Sequence, residues 1–112
     1  MSKAIPDRGD IVWIDFDPSL GHEQAGRRPG LILSSRKYHQ KVGLAIVCPI
    51  TSKVKGYPFE VPIPDGFKIK GVILSDQLKS IDLAERNVDL IFKIPATVVE
   101  TVQSLVISVL TK

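Results

Sequence analysis

The hydrophobic period of this chain changes once, at Pro95, and that change sets what the chain can become. Before it, apolar residues recur at every second position in short runs separated by glycine and proline, the period of strands. In "GDIVWIDFDP", Val12, Ile14 and Phe16 alternate with Trp13, Asp15 and Asp17, so the run reads as a half-buried strand closed by Pro18. "PGLILSS" and "GLAIVCPI" read as a second and a third strand, and "KVKG" at 53–56 as a turn. "YPFEVPIP" alternates too, but its prolines at 58, 62 and 64 confine it to an edge or a bend. "PDG" at 64–66 is a turn. "GVILSDQLKSI" supplies one or two strands around Ser75 and Asp76, and a short strand is expected near 87–91. After Pro95 the spacing becomes helical. Val98, Val102, Leu105 and Val109, with Val99, Val106 and Leu110 beside them, cover an arc of about 120°, the width of a core-facing stripe. Glu100, Thr101, Ser104 and Ser108 take the other side, with Ile107 among them as a candidate contact residue. Pro95 suits the first turn. The expected fold is mainly β with a C-terminal α-helix, built as a small antiparallel barrel.

At 112 residues, one domain spanning 1–112 is expected, with a modest core that gains from a partner subunit. A hydrophobic content of 44% with 24% charged residues is that of a soluble globular protein. The formal net charge of +3 is compatible with a polyanionic partner without requiring one. The single cysteine, Cys48, cannot form an internal disulfide and reads as a buried strand residue rather than a nucleophile. Two histidines and one cysteine, far apart, exclude a zinc cluster, so no metal is expected. There is no long apolar run and no signal-peptide core in "MSKAIPDRGD", which points to the cytoplasm and away from membranes.

The densest polar stretch is "GHEQAGRRP" at 21–29. Read plainly, it is a hairpin tip with glycines for the turn and charges for solubility. It also has the makings of an anion site. Arginine offers a planar, permanently charged fork matched to phosphate, and two arginines before Pro29 stand near the start of a strand. Glu23 comes within reach of Arg28 if the loop folds back. An arginine–glutamate pair beside a phosphodiester has a use in RNA cleavage, where the neighbouring 2′-hydroxyl attacks phosphorus. That reaction needs a base, charge stabilisation and an acid, and no cofactor.

The residues "GDIVWIDFDP…GHEQAGRRPGLILSS…VCPITSKVKGYPFEV…VILSDQLKSID" resemble the MazF toxins, sequence-specific endoribonucleases in the same broad family as PemK and Kid. The resemblance runs from about Pro6 into the C-terminal helix. It implies an SH3-like, CcdB/PemK-type barrel working as a homodimer, metal-independent cleavage of single-stranded RNA (chiefly messenger RNA), and inhibition by a MazE-like antitoxin. By position it puts the family's essential arginine on Arg28, its active-site threonine on Thr51 and its loop glutamate on Glu23. It also brings Asp76, Gln77 and Lys79 near the RNA groove.

An ordinary arginine is almost never neutral. Arg28 is therefore expected to clamp phosphate and to be a candidate proton donor, with Thr51 adding a hydroxyl and Glu23 the better base by pKa; which group is acid and which base stays open. Arg27 stands where family members can have histidine, and is expected to add charge towards phosphates. His22 lies in the loop, and His39 reads as a surface turn residue. Phe16, Gln24, Ser52 and Gln77 are candidates for reading bases, and Lys53 for tracking the backbone. Phe16 equally fits the core. Trp13, on the other face, reads as an interface residue. The rival from another class is a non-catalytic, CcdB-like toxin that binds a protein such as DNA gyrase. Relatives of that kind use an exposed aromatic near the C-terminus, and here no aromatic follows Phe92.

Overall fold

The computed structural model describes residues 4–16 and 26–112. In chain order these form β1 (Asp10–Phe16), β2 (Gly26–Ile32), α1 (Arg36–Val42), β3 (Leu44–Thr51), β4 (Glu60–Pro62), β5 (Val72–Leu74), a 3-10 turn (Ser75–Gln77), β6 (Lys79–Asp82), β7 (Asp89–Lys93) and α2 (Ala96–Thr111). The strands make one antiparallel sheet in the order β4-β5-β3-β2-β1-β7, with β6 also paired to β3. The class is the expected one, mainly β with a C-terminal helix, but the sheet is not a closed barrel. The path ends at β4 and β7, which do not pair with each other. The proline-rich run forms only the three-residue β4, and it lies at an edge, where the missing N–H groups cost no ladder bonds.

The alternation of β1 divides the core in two. Val12, Ile14 and Phe16 enter one cluster with Ile32, Ala45, Val47 and Ile81. Ile11 belongs to the other, with Leu31, Cys48, Ile50 and Ile73, and it is this face that α2 covers through Val99, Val102 and Val106. The expected helical stripe overreaches by a turn. Val109 and Leu110 are 38% and 70% exposed, and the buried positions of the helix stop at Val106. Pro95 caps the helix rather than entering it.

Two other expectations need correction. β2 begins at Gly26, not Pro29, because β1 continues to pair with it as far as Phe16↔Gly26. Arg27 and Arg28 therefore stand on a strand. Second, "SRKYHQKVG" is the short helix α1. Its caps were readable: the Ser35 side chain accepts from Tyr38 N, and Gly43 closes the end at φ +74. The apolar stripe that signals a helix is missing, since α1 buries only His39. His39 is accordingly no surface residue. It is 3% exposed, with its Nδ1 2.7 Å from the Pro6 carbonyl and its Nε2 2.6 Å from Ser34 Oγ. A carbonyl only accepts, so Nδ1 carries a proton and donates it to Pro6, while Nε2 pairs with the Ser34 hydroxyl. Both nitrogens are satisfied, which lets a polar ring tie the N-terminal segment to the sheet. The strand expected at 87–91 is β7, displaced two residues by a turn at Asn87 with φ 51.

Candidate active site

The pairing registers bring the candidate residues together. In β1–β2, Ile14 faces Arg28 and Phe16 faces Gly26. In β2–β3, Gly30 faces Pro49 and Leu31 faces Cys48. The β2–β3 ladder stops at Gly30↔Pro49; by strand parity Arg28 has the facing of Gly30, and Thr51 that of Pro49. In β3–β6, Val47 faces Lys79. Residues directly opposite in an antiparallel pair share a face. Arg28, Thr51, Phe16 and Lys79 therefore stand on one face, that of the core cluster of Val12, Ile14 and Phe16. Two observations agree with this placement. The Lys79 ammonium lies 5.4 Å from the centre of the Phe16 ring. A Cβ added to Gly30 would lie 2.9 Å from Ile14 Cδ1 and 3.6 Å from Phe16 Cζ, so glycine lets these two side chains pack over β2 on that face. Phe16 itself is 4% exposed and packs in the core.

Thr51 is held from several directions. Its hydroxyl accepts from Lys53 N at 3.1 Å, leaving the hydroxyl proton for another acceptor. Its backbone pairs with Val72, and Gly71 presses directly on its carbonyl. Ser52 and Lys53 are exposed on the connection that follows. Thr51 is 5% exposed, which suits a short contact to a seated group better than first capture of a long chain.

Asp76 and Gln77 lie on the 3-10 turn between β5 and β6, not on a strand. The sequence reading missed Tyr57, whose hydroxyl donates to Asp76 Oδ1 at 2.9 Å. Burial, and then this hydrogen bond to a carboxylate, pushes the Tyr57 phenol up to about 12. Tyr57 also meets Phe59 edge-on, with ring centres 6.5 Å apart. The signal lay in "KGYPFE" itself, an aromatic beside a glycine turn. That turn is closed by Glu60, whose carboxylate accepts from Lys55 N and Gly56 N at 3.0 and 2.8 Å. Burial pushes the Cys48 thiol up to about 12, with the Asp76 charge adding, so the thiol stays protonated and is no nucleophile.

Arg27 does not join Arg28. Its partner across the ladder is Asp15, on the opposite face. Its guanidinium donates to Asp15 Oδ1 at 2.9 Å, to the Asn87 carbonyl at 2.8 Å and to Asp89 Oδ2 at 2.6 Å. Trp13 and Pro29 share this face, and Trp13 is 36% exposed. The candidates Glu23 and Gln24, with His22, lie outside the described residues. Among the described residues no group of three or more histidine, cysteine, aspartate or glutamate side chains is placed to hold a metal ion.

Residues 7–110 match the family described as the PemK-like, MazF-like toxin of type II toxin–antitoxin systems. The chain is 49% identical over 81 residues to the endoribonuclease toxin MazF of Escherichia coli K12, covering 72% of each chain. It is 31% identical over 113 residues to the endoribonuclease PemK of Escherichia coli, covering 97% of this chain and 85% of that one. In structure it is similar to MazF from Deinococcus radiodurans, with a TM-score of 0.93 and 42% identity over 98% of this chain and all of that one. It also matches a MazE–MazF complex from the same organism, at a TM-score of 0.87 and 42% identity, covering 96% of this chain and 97% of that one.

Proposed function

The chain belongs to the PemK-like, MazF-like toxins of type II toxin–antitoxin systems, and on that footing we propose that its 112 residues act as one toxin domain that cleaves single-stranded RNA, chiefly messenger RNA, by attack of the RNA's own 2′-hydroxyl. The observation that carries this reading is the β2–β3 register, which supports Arg28 and Thr51 as neighbours on one face beside Lys79 and Phe16. The 2′-oxygen bonds to phosphorus as a base takes its proton. The bond from phosphorus to the 5′-oxygen then breaks, and that oxygen is protonated as it leaves. The products are a 2′,3′-cyclic phosphate and a 5′-hydroxyl. Charge builds on the non-bridging oxygens between these events. A fixed guanidinium at Arg28, with the free proton of the Thr51 hydroxyl, suits those oxygens. Arg28 also suits the leaving oxygen as proton donor, and Glu23 suits the base by its ordinary pKa. No step calls for a metal or a cofactor. Lys53 and Lys79 supply backbone attraction, while Asp76, Gln77 and Ser52 offer edges for reading bases.

We further propose a homodimer and a MazE-like antitoxin as partners, working in the cytoplasm. The half-exposed Trp13 and the apolar overhang of α2 at Ile107 and Leu110 supply surfaces a second subunit would cover. No described helix is long and apolar enough to cross a membrane. The test is cleavage of a long single-stranded RNA in chelator, with end mapping, for the native chain and Arg28→Ala. Discrete cuts with 5′-hydroxyl ends, lost in Arg28→Ala, are expected. RNA left intact by a folded native chain, or cleavage only with added metal, refutes the reading.

A further inference from the structure

We infer that Arg27, next to the proposed phosphate clamp, is a positioning residue that fixes the start of β2 and contributes no phosphate contact of its own; this rests on the active-site reading of Arg28. Its guanidinium joins three separate segments: β1 through Asp15, the turn before β7 through the Asn87 carbonyl, and β7 through Asp89, at 2.6–2.9 Å. The turn is stitched to β1 a second time, since Asp15 N donates to the Arg86 carbonyl at 2.8 Å. The need for such a tie follows from the ladder. β3 pairs with β2 only from Gly30 onward, so residues 26–29 pair with β1 alone. Within that stretch Pro29 has no N–H to donate. Arg28 therefore rides on the least supported part of its strand. Arg27 anchors that part from the opposite face, and so limits how far the Arg28 backbone swings.

The existing ion pairs rule against phosphate binding by the same side chain. To take a phosphate, Arg27 would have to surrender ion pairs already at hydrogen-bond distance. Strand parity also turns it away from Arg28 and Thr51.

The experiment pairs single-turnover cleavage of a short single-stranded RNA with the salt dependence of binding, measured on the same RNA carrying a 2′-deoxy nucleotide at the scissile position. The proteins are the native chain, Arg27→Ala, Arg27→Lys, Asp89→Asn and Arg28→Ala. Each phosphate contact on a single strand contributes about 0.7 to the slope of log K against log salt. Positioning predicts that Arg27→Ala cleaves at least tenfold more slowly with an unchanged slope. Arg27→Lys, which reaches one carboxylate but lacks the fork, falls between. Asp89→Asn also slows cleavage. A slope reduced by about 0.7 in Arg27→Ala overturns the inference, as does native cleavage by that variant. Tighter RNA binding with undiminished cleavage in Asp89→Asn overturns it too. If thermal melting shows Arg27→Ala unfolded, the decision is read from Arg27→Lys and Asp89→Asn. Arg28→Ala separates the two ideas: native cleavage there sinks the active-site reading, whatever the Arg27 variants do.

Discussion

Gly71→Ala tests whether β5 is pressed against the strand end that carries Thr51. Gly71 has φ +127, a region closed to ordinary side chains, and a Cβ there would run into the Thr51 carbonyl oxygen and lie 3.1 Å from Ser52 Cα. The backbone conformation alone costs on the order of 1–3 kcal/mol. Forcing an atom against fixed backbone adds roughly 1–3 kcal/mol, since no flexible side-chain end is there to give way. The stiffer unfolded chain returns about 0.4–1 kcal/mol. The expected net loss is about 3–4 kcal/mol, a large share of the roughly 5–15 kcal/mol that holds a domain together. Gly43→Ala is the control. Gly43 also has positive φ, +74, but a Cβ there meets nothing within 4 Å. It should cost only about 1 kcal/mol, the backbone penalty alone. Urea unfolding followed by Trp13 fluorescence measures both. A difference of about 2–3 kcal/mol is the clash together with the costlier backbone at φ +127. Equal losses in the two variants would refute the packing of Gly71 on Thr51. The same clash displaces Thr51, so folded Gly71→Ala should also cleave RNA more slowly than its folded fraction explains.

Two further outcomes follow from the Cys48 thiol and the Tyr57 phenol. The Cys48 thiol, pushed up to about 12, should resist a thiol reagent at pH 8 in the folded protein and react fully in denaturant; rapid native labelling would refute its burial. The Tyr57 phenol is raised from 10.0 to about 12 in the folded state. A raised pKa favours the fold while the group is protonated. Its contribution is thus complete below about pH 10 and disappears as pH climbs towards 12. Tyr57→Phe should flatten the alkaline fall in stability across that window, and an unchanged profile would show that the phenol is not desolvated beside Asp76.

What was legible in the sequence was whatever burial writes into a period. The alternation of Val12, Ile14 and Phe16, the edge position of the Pro62 run and the helix after Pro95 all reflect one apolar side facing the core. Structure held by hydrogen bonds left only caps, and no period, in the sequence. α1 has caps but no apolar stripe, and His39 is buried because two polar partners meet its ring, which no hydropathy pattern records. The exposed last turn of α2 was misread for a related reason. A stripe reports what a helix could bury, while its packing partners decide what it does bury. Within the candidate site, the motif nominates Arg28 and Thr51 as candidates. Their mutual placement required the registers, and Tyr57 became visible only through its contact with Asp76.

The two arginines of "GRRP" show why registers matter to chemistry. Adjacent residues on a strand cannot serve the same face. Had residues 26–28 formed a loop, both guanidiniums could have met one phosphate. Because β1 pairs with β2 down to Gly26, Arg28 is committed to the face of Thr51 and Lys79, and Arg27 to that of Asp15 and Asp89. The pairing that denies Arg27 a place at the phosphate is also what makes it useful. A cation behind the strand, tied to β1 and β7, restrains a backbone that β3 does not yet hold. Leu31 and Ile32, buried on opposite faces of β2, hold that register, since a slip of one residue would exchange them as well. The pairing is therefore as much a part of the proposed site as either side chain.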